Sequence, residues 1–131
     1  MMRSRPKPAK PRKRPVRRTA GARFERVRKL GLELPGVTFG TAYGAPALKL
    51  KGQLLACVAT NKAAEPDTLV VRVDFFDRDL RIANEPDVYY LQPHYVNYPC
   101  VLARLARIKD AALRELLEAA WSYVNGKGTR G

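Results

Sequence analysis

Histidine, cysteine and acidic residues are scarce in this chain, and each scarcity removes a class of chemistry. The single histidine, His94, cannot build a metal cage with its neighbours in sequence, because no cysteine or carboxylate stands at ligand spacing around it. The two cysteines, Cys57 and Cys100, sit in apolar runs without CxxC spacing and read as buried free thiols of a reducing compartment. There is no P-loop, no dinucleotide-binding fingerprint and no GxSxG elbow, so phosphate cradles and activated serines are not indicated. No apolar run approaches the ~18 residues of a membrane span. The start, MMRSRPKPAKPRKRP, is basic but lacks the apolar region of a signal peptide. These absences predict a cytoplasmic, non-enzymatic protein with no cofactor, no metal and no membrane partner.

What is abundant is positive charge. The chain of 131 residues carries 25 Lys+Arg against 12 Asp+Glu, a net +13. Nine of those bases (Arg3, Arg5, Lys7, Lys10, Arg12, Lys13, Arg14, Arg17 and Arg18) and none of the acids lie in residues 1–18, which leaves +4 on residues 19–131. Residues 1–18 also hold four prolines and almost nothing apolar. Such a stretch cannot bury enough surface to offset its backbone entropy, so a disordered, extended arm is predicted. An arm of this kind binds polyanions through counterion release. Pro11-Arg12-Lys13-Arg14-Pro15 resembles the core of an AT-hook, with Lys13 in place of the central glycine.

Residues 19–126 read as one domain, large enough for one core, with 127–131 as a short flexible end. Thr19 is placed to cap a helix whose apolar positions Ala20, Phe24, Val27, Gly31 and Leu34 recur at helical spacing, until Leu34-Pro35-Gly36 stops it. Short strands follow over 37–43, 47–51, 54–59 and 69–73, with Lys51-Gly52-Gln53 as a tight turn. A helix over 77–83 capped by Asp77, a strand over 88–91 and a strand over 100–108 come next. Asp110 opens a last helix with Leu113, Leu116, Leu117, Ala120 and Val124 on one face, ended by Gly126 and Gly128. The order α-β-β-β-β-α-β-β-α predicts an α+β fold: a single antiparallel sheet of about five strands with helices packed on one side.

The most unusual window is Leu91–Leu105, where His94, Tyr95 and Tyr98 lie between Pro93 and Pro99. Here the prolines fix the backbone, and the rings either pack as a structural corner or form an exposed recognition surface. Together with Leu34-Pro35-Gly36-Val37, Tyr43-Gly44-Ala45-Pro46-Ala47-Leu48-Lys49, Lys51–Ala56 and Leu69–Asp74, this corner resembles the MmcQ/YjbR family. The likeness rests on Arg72 and Asp74 in an L-x-x-R-V-D strand and on Pro93-His94-Tyr95 with Tyr98-Pro99. It departs at Leu48, where an aromatic residue is usual, and at Cys100, often Trp.

The resemblance implies a double-wing α+β fold and a DNA-binding role, the latter by fold analogy. Combined with the arm, it predicts contact with nucleic acid, double-stranded DNA first, through the nine arm bases and Lys49, Lys51, Arg72 and Arg104. Tyr43, Asp74, His94, Tyr95 and Tyr98 form the motif surface. The competing expectation is a protein-interaction module, chaperone-like, whose basic arm serves solubility or weak association.

Overall fold

The computed structural model describes residues 15–61 and 64–130. Helix α1 spans Pro15–Leu32 and is followed by strands β1 (Val37–Ala42), β2 (Ala45–Leu50), β3 (Gln53–Val58) and β4 (Thr68–Arg72). Helix α2 (Phe75–Asn84), β5 (Tyr89–Tyr90), a 3-10 turn (Pro93–Tyr95), β6 (Cys100–Arg104) and α3 (Asp110–Arg130) complete the chain. The element order matches the sequence expectation, and the sheet has six strands in the order β1-β2-β3-β4-β6-β5, antiparallel throughout.

Several boundaries differ from those expected, each for a local reason. Helix α1 begins at Pro15 rather than Thr19, and proline suits a first helical turn because its missing N–H has no partner there. Helix α2 is capped by Asp74, whose carboxylate accepts from the Asp77 N–H at 2.8 Å, so Asp77 sits inside the first turn. Strand β6 stops at Arg104, because Arg107 and Ile108 donate back to the Arg104 carbonyl and curl the chain. Helix α3 continues through Gly126 and Gly128 to Arg130.

Two-residue turns build the first half of the sheet. Tyr43 and Gly44 (φ 55° and 77°) join β1 to β2, and Lys51 and Gly52 (φ 54° and 79°) join β2 to β3. Left-handed φ at both central positions matches the twist of a hairpin. A bulge opposite Leu48 and Lys49 leaves Leu55 as the extra residue of β3. Alternation breaks there, and Leu55 and Ala56 both join the helix-side core.

That core is dense. Leu48, Leu50, Leu69, Val71 and Val101 from the sheet meet Phe24 and Val27 of α1 and Leu113, Leu116, Leu117, Ala120 and Val124 of α3, all buried. Gly31 lets α1 lie close to β2, since a Cβ there would collide with the Leu48 side chain. Arg26 ties α1 to the start of α3, donating to the carbonyls of Leu105 (2.9 Å) and Ile108 (2.6 Å) and to Asp110 (2.9 Å). Trp121 Nε1 donates to the Pro35 carbonyl at 2.8 Å, closing the other end of the helix pair. Among the described residues no helix is long and apolar enough to cross a membrane.

Candidate functional site

The opposite face of the sheet is floored by smaller residues: Ala47, Cys57, Val70, Cys100 and Leu102. Among the described residues no helix side chain belongs to this cluster. The segment after β5 folds back over part of this face instead. Gln92, Pro93 and Tyr95 carbonyls accept from the N–H groups of Tyr95 (2.8 Å), Val96 (3.3 Å) and Tyr98 (3.0 Å), which holds the corner in successive tight turns. Arg78 of α2, almost fully buried, pins it from outside by donating to the Val96 carbonyl at 2.9 Å, with its Nε on Asp79. The Val73 N–H donates to the Pro99 carbonyl at 3.1 Å and fastens the end of the corner to the strand side.

Between this corner and the β1–β2 hairpin lies a cleft of about 530 Å³. Tyr43, Arg72, His94, Tyr95 and Tyr98 line it over a floor that includes Cys57, Val70 and Cys100. Residues 43–49, 51–56, 69–74 and the corner, four segments far apart in sequence, therefore meet at one place. The rings of His94 and Tyr95 stand edge-on at 4.9 Å, and His94 lies 6.5 Å from Tyr98. Tyr43 is 80% exposed and Tyr98 59%, so the mouth presents tyrosine rings to solvent. Thr60 and Asn61 supply polar groups at the wall. Among the described residues no carboxylate lines the cleft, and no group of His, Cys, Asp and Glu is placed to hold a metal.

Burial sets the electrostatics of the floor. It pushes the thiols of Cys57 and Cys100 up to about 11 and raises the Tyr95 hydroxyl, since an anion is poorly solvated there. Both cysteines are free. Cys57 pairs with Val70, and Val70 with Leu102, two residues from Cys100. That offset puts the sulfur-bearing residues roughly 12 Å apart by strand spacing, beyond the ~7 Å a disulfide can bridge.

The bases read from the sequence divide by position: Lys49, Lys51 and Arg72 lie toward the β2–β3 hairpin, and Arg104 stands apart from them. Arg72 stands in the cleft wall, where it donates to the Leu54 carbonyl at 3.3 Å and lies 5.7 Å from the Tyr123 ring. Lys49 is half-buried on β2 opposite Leu54. Lys51, at a hairpin tip, reaches Asn125 at 3.1 Å. Arg104 lies at the far end of the β4–β6 pair, opposite Thr68, whereas Arg72 is opposite Cys100. Four residues of strand separate them, about 13 Å.

Arg104 is also occupied. It clamps Glu65 through two bonds of 2.8 Å, donates to the carbonyls of Pro86 and Asp87, and lies over the Tyr90 ring at 4.2 Å. Its Nε–H and N–H donors hold the Glu65 carboxyl below the usual range. Asp74 is taken by its capping role on α2. Arg17 and Arg18 fall on α1, which takes in residues 15–18 of the arm expected to be disordered, while Arg3, Arg5, Lys7, Lys10, Arg12, Lys13 and Arg14, with the rest of that arm, lie outside the described residues.

Two features escaped the sequence reading. Arg78, the pin of the corner, looks in sequence like any charge on an amphipathic helix. Phe75, Phe76 and Leu80 of α2 are 45%, 75% and 45% exposed. The adjacent Phe75-Phe76 pair was the available signal, since one helix face cannot bury both rings.

No protein-family model matches the chain, and no solved structure matches it. It is 52% identical over 40 residues to the uncharacterized protein Rv2570 of Mycobacterium tuberculosis and to the uncharacterized protein Mb2600 of Mycobacterium bovis. The match covers 30% of this chain and 31% of each relative, so the chain spans about a third of the length of these curated relatives.

Proposed function

We propose that the chain is a non-enzymatic DNA-binding protein of the MmcQ/YjbR type, in which the basic arm contacts phosphates and the α+β domain orients it. One observation carries this reading. The basic run passes without a spacer into α1, and α1 is held to the domain by Phe24, Val27, the three bonds of Arg26 and an Arg23–Asp67 ion pair of 3.2 Å. Phosphate affinity in the arm is thereby coupled to a helix of fixed direction, which gives position as well as attraction.

The test uses the full chain with Arg3, Arg5, Lys7, Lys10, Arg12, Lys13 and Arg14 changed to Ser, titrated onto duplex DNA at several salt concentrations. Removal of seven phosphate contacts flattens the plot of log K against log[salt] by at most about six units. An unchanged slope and affinity would remove the arm from the interface.

A second reading, a protein-interaction module, is favoured by the exposed Phe75, Phe76 and Leu80 of α2. It predicts an association that survives nuclease and is lost in Phe76→Ser. If that variant leaves association intact, α2 is not the docking face.

A further inference from the structure

We propose that the cleft between the corner and the β1–β2 hairpin takes an unpaired base of a DNA strand, so that the protein favours single-stranded over fully paired DNA. The inference rests on the DNA-binding reading and names what the domain itself would recognise.

Four observations support it. The cleft, about 530 Å³, falls within the ~300–1,000 Å³ of small-ligand sites. Its walls combine tyrosine and histidine rings with an apolar floor, and any base offers a flat face to stack on such rings. Arg72 makes no ion pair among the described residues, whereas Arg78, Arg81 and Arg104 each hold a carboxylate. With no described carboxylate lining the cleft, Arg72 has N–H groups beyond the one it gives to the Leu54 carbonyl to offer the phosphate of a nucleotide whose base lies on the rings.

The fourth observation is Tyr43. It holds left-handed φ of 55° at a hairpin position where Asn or Asp is the unstrained choice, and its ring is 80% exposed. A bulky side chain in that conformation is strained, and burial of the ring offers little compensation. Lys51 holds nearly the same φ in the second hairpin without lining the cleft, so it is the exposed ring at the rim that marks Tyr43 as a contact residue.

A duplex cannot enter a cleft of this size, because its bases are stacked and their faces covered. A single strand, a frayed end or a mismatch can place a base there. The arm would bind phosphates of either form, so the cleft accounts for the preference and the arm for the salt dependence.

The experiment compares full-length protein with Tyr43→Ala/Tyr98→Ala and with Arg72→Gln, by anisotropy of labelled oligo-dT and of a duplex of equal length at one salt concentration. Thermal melts by circular dichroism confirm that each variant is folded. Oligo-dT is expected to bind more tightly than duplex, and the tyrosine pair to lose at least about tenfold on oligo-dT while duplex binding stays within about twofold. Arg72→Gln is expected to weaken oligo-dT binding and to lower its salt slope by about 0.7. The mononucleotide dTMP is expected to bind far more weakly than oligo-dT; equal affinity would make the cleft a free-nucleotide site and overturn the proposal.

If wild type binds duplex and oligo-dT alike and the tyrosine variant changes neither, the cleft inference falls while the DNA-binding reading stands. If wild type binds neither, both fall together.

Discussion

The two faces of the sheet are built from different residues and serve different ends. The face under α1 and α3 is filled by leucine, valine and isoleucine, with Leu48, Leu55, Leu69, Leu113 and Leu116 wholly inaccessible. The other face carries alanine, cysteine, valine and tyrosine with Leu102 as its one fully buried leucine among the described residues, and a short proline-bounded corner stands where a helix would. Large aliphatic residues on one side close that side completely. Small residues on the other leave room for a cleft and for the polar groups around it. The strands are shared, so one side provides the rigidity that the other needs to hold its rings and guanidinium in place.

That contrast can be broken by substitution. Leu116→Ala is expected to cost about 3 kcal/mol of unfolding free energy, measured by urea denaturation. Cys57→Ala, on the cleft floor, should cost about 1 kcal/mol or less. Equal losses would mean that the cleft face is packed as tightly as the helix side.

The raised thiols offer a second contrast, with free cysteine. At pH 8 a thiol held near 11 is ionised about a hundredfold less than an ordinary one. Alkylation of Cys57 and Cys100 should therefore be slower by about that factor and rise with pH well beyond 9. Fast labelling at pH 8 would show that the floor opens to water.

A smaller effect separates the arginine that holds a carboxylate, Arg104, from Arg72, which is in no ion pair among the described residues. Arg104→Lys keeps the charge but loses the two-pronged hold on Glu65, for an expected loss of about 1–2 kcal/mol. Arg72→Gln should change stability by less than 1 kcal/mol. Because Arg104 depresses the Glu65 carboxyl in the folded state, the unfolded chain takes up its proton first as pH falls. The contribution of the pair is thus full at neutral pH and fades below about 4.5, the ordinary carboxyl value. Glu65→Gln should flatten the acid limb of the melting temperature between pH 5 and 3, values set on either side of that range. An unchanged limb would assign acid sensitivity to other carboxylates.

The smallest effect has the opposite sign. Tyr43→Asn relieves the left-handed strain at the hairpin and should stabilise the protein by about 0.5–1 kcal/mol while weakening oligo-dT binding. A destabilised variant would show that the Tyr43 ring packs in solution and is not simply displayed.

The sequence by itself determined the element order, because each element has a local signature. The 3.6-residue recurrence of Leu113, Leu116, Leu117, Ala120 and Val124, the Lys51-Gly52 turn and the β-branched run at Leu69–Val73 are all short-range patterns, and the structure bears them out. The concentration of charge in residues 1–18 is likewise a fact of composition. Tertiary structure alone decided which side chains remain available. Arg72 and Arg104 look alike in sequence, yet one lines the cleft and the other is consumed by Glu65 and two carbonyls. The meeting of Tyr43, Arg72 and His94 depends on strand register and on the fold of the corner between Tyr90 and Cys100. Those are contacts between residues tens of positions apart, set by long-range pairing and burial, and no local pattern encodes them.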